Sequence, residues 1–265
     1  MNLRPKLKII ARIEGEGPSV LVTERGDYRS LCFADDASLV QGAMHRRDHL
    51  RFRSEYFQQQ VAAAVFHPRP RTALFLGLGI GAVARLCRAI WPDLHVDAVE
   101  ICDTVVEAAT GYFGLEPTPK FRIHVVDATQ VVQRKPLHGV YDLVFADCYT
   151  SKSIAPECLE HSFLVGCIKC LSSSGLLITN LLPNRSGARA MAKNVQAQIA
   201  EPWLMRAQKK NNHTVFGHPT AQLSLSDALV RAHAIDQDNR LPFKLVPEVM
   251  GAVKGSQVLG MADTW

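Results

Sequence analysis

Short apolar runs alternate with amphipathic segments along much of the chain. After the apolar run at 73–76 and a glycine-rich turn, apolar residues recur at helical spacing, at Ala84, Leu86, Ala89 and Ile90. Four further short runs predict strands, at 96–99, 121–126, 141–146 and 176–182. Two segments between these runs predict helices, at 103–113 and 156–171, the second stopping at Ser-Ser-Ser-Gly. This alternation predicts an α/β fold with a parallel, doubly wound sheet.

The flanking segments predict a β appendage before this region and a mixed edge after it. Residues 18–42 alternate β-favouring runs with turn clusters, as is typical of a small antiparallel meander. The pattern becomes helical over 48–66. We therefore expect a small β domain at 1–47 and a Rossmann-like, nucleoside-binding catalytic domain at 48–265. Weaker patterns predict later helices at 186–200 and 226–234 and a closing antiparallel strand at 213–219.

The glycine-rich turn predicts a nucleotide site. Gly77, Gly79 and Gly81 lie between a strand and a helix, where glycine allows a sharp turn and the close approach of a ligand to the helix N-terminus. Glu100 ends the next strand about 20 residues later, which is the interval expected of an acid that binds ribose hydroxyls. This pattern alone leaves NAD and other adenosine nucleotides open.

Two more acids follow predicted strands in the same way. Asp127 follows the strand at 121–126, and Asp147 follows the strand at 141–146. Because ligands bind beyond the carboxyl ends of strands in such sheets, we expect Gly77, Glu100, Asp127 and Asp147 to meet at one rim.

Composition narrows the class of protein. The chain has 265 residues, of which 47% are hydrophobic, and no apolar run long enough to span a membrane. The N-terminus lacks a secretory cleavage pattern, and the seven scattered cysteines suit a reducing compartment, so we expect a cytoplasmic protein without a membrane partner. The basic stretch at 45–53 is interpreted as the solvated start of a helix rather than a nucleic-acid patch. Cys167 and Cys170 lack further ligands at zinc spacing, so no metal site is predicted.

Several motifs together resemble the spermidine synthase family of aminopropyltransferases. The resemblance runs from about Tyr56 to Leu182 and is carried by HPRPRTALFLGLGIG, VEI at Glu100, VVDA at Asp127, YDLVFADCY at Asp147, APECL and FLVGCIKCLSSSG. It implies a methyltransferase-like Rossmann fold preceded by a small β domain, and it favours a homodimer. It also implies that the co-substrate is decarboxylated S-adenosylmethionine or S-adenosylmethionine, and that the partner is a small-molecule amine.

The resemblance also implies roles for individual residues. Glu100 would hold the ribose, Asp127 with its neighbour Ala128 the adenine, and Asp147 would deprotonate or orient the attacking amine. Tyr56 lies near the family's substrate tyrosine, and we expect it to be catalytic together with Asp147. The glutamines at 58–60 are expected to line the site, with Gln58 binding the co-substrate. The loop from Cys148 to Pro156 would act as a gate, and the expected gate or substrate residues are Tyr149, Thr150 and Glu157.

Two departures from the family pattern bear on the substrate. Ile80 stands where the family has a glycine-loop aspartate that contacts the aminopropyl end of the co-substrate, and Thr150 stands where it has a second, diamine-binding aspartate. Loss of these acids weakens selection of a polyamine, since a desolvated ammonium needs a paired charge. It also removes a group that would repel the carboxylate of intact S-adenosylmethionine.

Three hypotheses follow for the function. The first is a transferase of the polyamine biosynthesis type, which moves an aminopropyl group to an amine. The second is an S-adenosylmethionine-dependent methyltransferase acting on a small molecule, and the third is a catalytically silent relative. A nicotinamide oxidoreductase is disfavoured, because the acids after the glycine loop match the adenosyl-transferase arrangement better.

Overall fold

A small antiparallel sheet begins the chain. The computed structural model describes residues 5–36, 38–150, 153–182, 187–207 and 212–254. The sheet has the order β1-β2-β3-β4 and confirms the predicted meander. It adds one strand that was not predicted, and its members are β1 (Lys8–Ile13), β2 (Val20–Arg25), β3 (Tyr28–Phe33) and β4 (Val40–His45).

The helix predicted from Asp48 is wrong over its first part. The His45 amide donates to the Arg51 carbonyl and the Arg53 amide donates to the Ala43 carbonyl, so these residues prolong a hairpin after β4. The turn is fixed by the His45 ring, whose Nδ1 accepts the amide hydrogen of Asp48 at 3.2 Å. Such local bonds satisfy donors that a helix would otherwise use. Helix α1 therefore spans only Tyr56–Ala64.

Among the residues that the structure describes, the main sheet contains eight strands, with helices on both faces. The central five strands, β5 to β9, run parallel, and β10 to β12 run antiparallel to their neighbours, in the order β12-β10-β11-β9-β8-β5-β6-β7. The elements are β5 (Thr72–Leu76), α2 (Ala82–Ile90), β6 (His95–Glu100), α3 (Asp103–Phe113), β7 (Phe121–Val125), α4 (Ala128–Val131), β8 (Tyr141–Ala146), α5 (His161–Cys170), β9 (Leu171–Leu181), α6 (Ala188–Gln198), β10 (Trp203–Arg206), β11 (His213–Gly217), α7 (Leu225–Gln237), α8 (Val246–Met250) and β12 (Val253–Lys254).

This architecture confirms the predicted α/β fold and its antiparallel edge. The strand predicted at 213–219 is β11, which pairs antiparallel with β9. Strand β10 was not predicted, because its four residues are too few to show a period. The start of the helix predicted at 186–200 lies at Ser186, outside the described residues. None of the described helices is long and apolar enough to cross a membrane.

The boundary predicted at Ser-Ser-Ser-Gly is also corrected. Helix α5 ends at Cys170 and β9 begins at the next residue, so the serines lie inside a strand. Their pairing with β8 shifts register after Tyr141, and Gly175 allows this because a Cβ there would lie 2.6 Å from the Tyr141 carbonyl oxygen. The serines lie in this irregular part of the pairing, and the Ser172 hydroxyl donates to Asp142 Oδ1 at 2.8 Å.

Alternate residues of β5 pack into two cores on opposite faces of the main sheet. Ala73 and Phe75 belong to the core that includes α1 to α3, whereas Leu74 and Leu76 belong to the core that includes α5 and α6. Such double burial explains why the parallel strands are continuous apolar runs.

A side chain from α7 fixes the end of α1. The Arg231 guanidinium donates to the carbonyl oxygens of Val65 and Phe66, at 2.7 and 3.0 Å. These are carbonyls that a helix end leaves without intrahelical partners. The C-terminal part of the chain thus holds α1, the helix that carries two residues of the site described next.

Candidate active site

A large cavity lies between the small sheet and the carboxyl ends of the parallel strands. Its volume is about 1070 Å³, at the upper end of the range for ligand pockets. The small sheet contributes an apolar wall that includes Leu31 and Phe33, and the main sheet contributes the glycine loop and the acids after β6, β7 and β8. A nucleoside and a second small molecule can fit into this space together.

The glycine loop forms one wall of the cavity, and its glycines serve different purposes. Gly77 has a φ of 93° and approaches Asp147 so closely that a Cβ would overlap the Asp147 carbonyl oxygen. Gly79 has a φ of 52°, and a Cβ there would meet nothing within 4 Å. Gly77 therefore lets the ends of β5 and β8 come together, while Gly79 leaves open space over the loop for a ligand.

Glu100 organises this loop through backbone hydrogen bonds. Its Oε2 accepts the amides of Leu78 and Gly79 at 3.1 and 3.4 Å, and its Oε1 accepts the amide of Cys102 at 3.1 Å. Burial raises the pKa of Glu100, and these amide bonds act in the opposite direction by favouring the carboxylate. Its oxygens retain further acceptor capacity for ribose hydroxyls.

Asp127 and Ala128 lie at the start of the short helix α4 and line the same cavity. Asp127 caps this helix, because its Oδ1 accepts the amide of Thr129 at 2.8 Å. One carboxylate oxygen is therefore engaged by the fold, and the other is available for a donor in a ligand.

Asp147 lies at the centre of a buried polar network. Its Oδ2 accepts a hydrogen bond from Gln60 Nε2 at 3.0 Å, and its Oδ1 accepts one from Asn180 Nδ2 at 2.9 Å. Burial raises the pKa of Asp147, while the two amide donors act to lower it. No cation among the described residues forms an ion pair with it. The hydrogen bonds that Asp147 accepts thus come from neutral donors only.

Two tyrosines stand near this carboxylate. Burial, and next the negative charge of Asp147, raise the pKa of the Tyr56 phenol, so Tyr56 stays protonated and can act only as a neutral group. The Tyr149 hydroxyl donates to the Asn180 carbonyl at 2.8 Å and accepts the Leu182 amide at 3.1 Å. Tyr149 therefore fixes the start of the gate segment onto the end of β9.

The other gate residues that were predicted also line the cavity. Thr150 forms a tight turn with Ser153, since each accepts a hydrogen bond from the other at 3.1 Å. Glu157 is exposed in a 3₁₀ turn at Pro156–Leu159. Residues 151 and 152 of the predicted gate lie outside the described part of the chain.

Two of the predicted glutamines, Gln58 and Gln59, are not among the residues that line the large cavity. Gln58 lines a separate small cavity with side chains that include Phe52, Leu86 and Phe243. Gln60 contacts Asp147 instead, because residues 56 and 60 of α1 are one turn apart and share a face. Helical spacing, applied to the sequence, selects Gln60 over Gln58.

Ile80 has a structural partner in the small sheet. It is 2% exposed, and a Cβ on Gly42 of β4 would lie 2.7 Å from its Cγ1. The missing Gly42 side chain thus makes room for Ile80, so the glycine loop and the small sheet are fitted to each other at an apolar contact.

The cavity lining is strongly acidic. One basic side chain, Arg53, lines the described part of the cavity. The acidic side chains that line it are Asp35, Glu100, Asp127, Asp147 and Glu157. Such a lining favours cationic ligands. No three His, Cys, Asp or Glu side chains converge on a metal position within the part of the chain that the structure describes.

Sequence reasoning missed two asparagines of the site. Asn180 and Asn212 both line the cavity and are each 4% exposed. Asn180 lies just before the end of β9, so its position on the same rim as the acids was visible in the strand pattern. Asn212 precedes β11 and joins the site only through the pairing of β11 with β9.

The fold and this site define a Rossmann fold of the S-adenosylmethionine-methyltransferase type, preceded by a small antiparallel sheet. A probable spermidine synthase from Corynebacterium glutamicum superimposes with a TM-score of 0.73 at 17% identity, over 96% of this chain and 94% of that chain. Human methyltransferase-like protein 13, solved with SAH, gives a TM-score of 0.61 at 23% identity, over 71% of this chain and 94% of that one. These likenesses show the fold.

Proteins of similar sequence narrow the comparison further. A polyamine aminopropyltransferase from Vibrio vulnificus is 32% identical over 164 residues, which is 61% of this chain and 55% of that protein. A human eEF1A lysine and N-terminal methyltransferase is 25% identical over 186 residues, 65% of this chain and 27% of that protein. The match thus spans about half the length of the Vibrio relative. No family model matches the chain. The resemblance to spermidine synthases is confirmed, and these relatives are transferases.

Proposed function

We propose that this protein transfers an aminopropyl group from decarboxylated S-adenosylmethionine to an amine. The observation that carries the proposal is the half-buried Asp147 carboxylate at the cavity, which two amide donors hold and with which no cation of the described residues forms an ion pair. The name of the Vibrio relative and a solved spermidine synthase complex with AdoDATO support the same class of reaction. The sulfonium co-substrate supplies a carbon already activated for displacement.

The residues of the glycine loop rim would hold the nucleoside. Glu100 retains acceptor capacity beside Gly79, where the space over the loop is open. Asp127 has one carboxylate oxygen that does not cap its helix. These acceptors suit ribose hydroxyls and an adenine amino group, respectively.

Asp147 would bind the acceptor and take its proton. An ammonium entering the cavity meets an anion whose partners are neutral, so it gains a charge-assisted hydrogen bond there. Burial raises the pKa of Asp147 toward that of a useful base. Asp147 would first take one proton from the bound ammonium, which frees the lone pair of the nitrogen. That lone pair would then form the bond to carbon, while the carbon–sulfur bond breaks and its electron pair stays on sulfur.

Methyl transfer from intact S-adenosylmethionine is the second candidate. The observation that favours it is Ile80, which gives the glycine loop an apolar residue buried against Gly42. An apolar residue neither pairs with the aminopropyl ammonium nor repels a carboxylate. The human relative, named as a methyltransferase, supports this candidate.

The test is calorimetric titration of the protein with decarboxylated S-adenosylmethionine, intact S-adenosylmethionine and methylthioadenosine. Under the proposal, we expect the decarboxylated form and methylthioadenosine to bind more tightly than the intact form. A preference for the intact form moves the function to methyl transfer. Binding of none of them removes both candidates and leaves a silent relative.

Turnover separates a bound nucleoside from a working enzyme. With an amine mixture as acceptor, we expect Asp147→Asn to retain methylthioadenosine binding and to lose about 10²-fold or more in release of methylthioadenosine. Equal turnover by the variant and the wild type would contradict the assigned role of Asp147.

A further inference from the structure

A chain of three side chains ends at the candidate base. Asn212 Nδ2 donates to Asn180 Oδ1 at 3.0 Å, and Asn180 Nδ2 donates in turn to Asp147 Oδ1 at 2.9 Å. Both asparagines are buried, and buried amides are costly unless they are hydrogen-bonded. The two amides, Asn212 and Asn180, thus form a hydrogen-bonded relay that ends at the Asp147 carboxylate.

The relay has a direction. An amide has an oxygen that only accepts and a nitrogen that only donates. Because Asn212 occupies the Asn180 oxygen, the Asn180 nitrogen is turned toward the Asp147 carboxylate. If the Asn180 amide were rotated by half a turn, its oxygen would face that carboxylate and repel it.

We propose that Asn180 is a positioning residue that holds Asp147 ionised and oriented into the cavity, and that Asn212 sets the direction of the Asn180 amide. The inference rests on the proposed function in that it takes Asp147 as the base. Gln60 completes the arrangement by donating to the second carboxylate oxygen at 3.0 Å. Each carboxylate oxygen then accepts one hydrogen bond from a neutral donor.

Asn180 also joins the carboxylate to the gate. Its main-chain carbonyl accepts the Tyr149 hydroxyl at 2.8 Å, while its side chain holds Asp147. The base and the first residues of the gate segment are therefore fixed to the same residue of β9. A shift at the end of this strand would move both.

Other titratable groups near Asp147 enter the test as background. Tyr56 of α1 and Cys148 of the gate segment both interact with its charge, and Tyr149 in turn interacts with Tyr56. Burial and the charge of Asp147 raise the pKa of Tyr56, and a hydrogen bond with Cys158, together with burial, raises that of Cys148. Both groups are thus neutral in the range where a carboxyl group titrates.

The experiment measures the pKa of Asp147 directly. Protein labelled with ¹³C at aspartate Cγ is titrated by NMR without substrate, and the Asp147 signal is identified by its loss in Asp147→Asn. For Asn180→Leu, we expect the pKa to rise by about one unit or more, the equivalent of one hydrogen bond to a charged group. For Asn212→Leu, we expect a smaller rise.

Thr214→Val is the matched control. Thr214 lies opposite Asn180 in the pairing of β11 with β9, and its buried hydroxyl has no hydrogen-bond partner in the described structure. Its replacement changes a neighbouring polar side chain but removes no donor to Asp147, so the pKa should stay within about 0.2 units of the wild type.

An unchanged Asp147 pKa in a folded Asn180→Leu protein would overturn the proposal. If that variant does not fold, an unchanged Asp147 pKa in Asn212→Leu overturns the proposal instead. This variant keeps the contact between Asn180 and Asp147 and removes only the donor to the Asn180 oxygen. The outcome is independent of turnover. A raised pKa in a protein that binds no sulfonium nucleoside would support the relay while rejecting the proposed function.

Discussion

Three glycines of this chain should respond very differently to replacement by alanine. In Gly77→Ala, the new Cβ would overlap the Asp147 carbonyl oxygen, and the residue would keep a φ of 93°. The backbone strain costs about 1–3 kcal/mol, and the forced separation of packed atoms costs about 1–3 kcal/mol more. We therefore expect a loss of about 2–6 kcal/mol in the free energy of unfolding.

Gly79→Ala tests the other role of the loop. Its Cβ meets no atom within 4 Å, so only the left-handed φ of 52° is penalised, at about 1–2 kcal/mol. The added methyl group would project into the cavity, and nucleoside binding should weaken although the protein folds. Gly111→Ala, at an exposed position in the last turn of α3 with open space around its Cβ, should instead gain about 0.5–1 kcal/mol.

The assay combines urea unfolding, followed by circular dichroism, with calorimetric binding of methylthioadenosine. The expected order of stability is Gly111→Ala, wild type, Gly79→Ala and Gly77→Ala. A Gly77→Ala protein as stable as Gly79→Ala would refute the argument that β5 and β8 approach each other through this glycine. Unchanged binding in Gly79→Ala would refute the assignment of the open space to the ligand.

Three further predictions concern other parts of the molecule. Arg231→Met removes the donors to the end of α1 and should cost about 1.5–3 kcal/mol in thermal unfolding, whereas Arg12→Met at an exposed ion pair should cost less than about 0.5 kcal/mol. Burial alone would raise the pKa of Asp97, but hydrogen bonds from its neighbours together hold it below the usual range. The contribution of the ionised Asp97 to stability is complete above about pH 4 and is lost as the pH falls through its lowered folded-state pKa. The difference in melting temperature between wild type and Asp97→Asn should therefore shrink in acid. A difference that does not change with pH would contradict this expectation. Ile80→Asp should lower stability by about 2–4 kcal/mol, because a buried apolar contact becomes a buried charge. Calorimetry should also show a shift in preference toward decarboxylated over intact S-adenosylmethionine. An unchanged preference would contradict the idea that residue 80 contributes to the choice of co-substrate.

Much of the site could be derived from local patterns. Strand periods of two and helix periods near 3.6 are properties of neighbouring residues, so the runs around Gly77, Glu100, Asp127 and Asp147 predicted strands, and their ends predicted a common rim. The structure places all four around one cavity. Where local bonds compete with the period, as at His45, the predicted helix failed over its first residues.

The sequence by itself determined the five parallel strands β5 to β9, the turn after β5 and the acids at the strand ends, because each depends on residues close together in the chain. Only the tertiary structure decided which polar side chains surround Asp147. Gln60, Asn180 and Asn212 come from separate segments, and strand pairing and helix packing bring them together. The close approach of Gly77 to Asp147 and the fit of Ile80 against Gly42 have the same origin. Contacts between distant segments are fixed by packing the whole chain, and no local pattern records them.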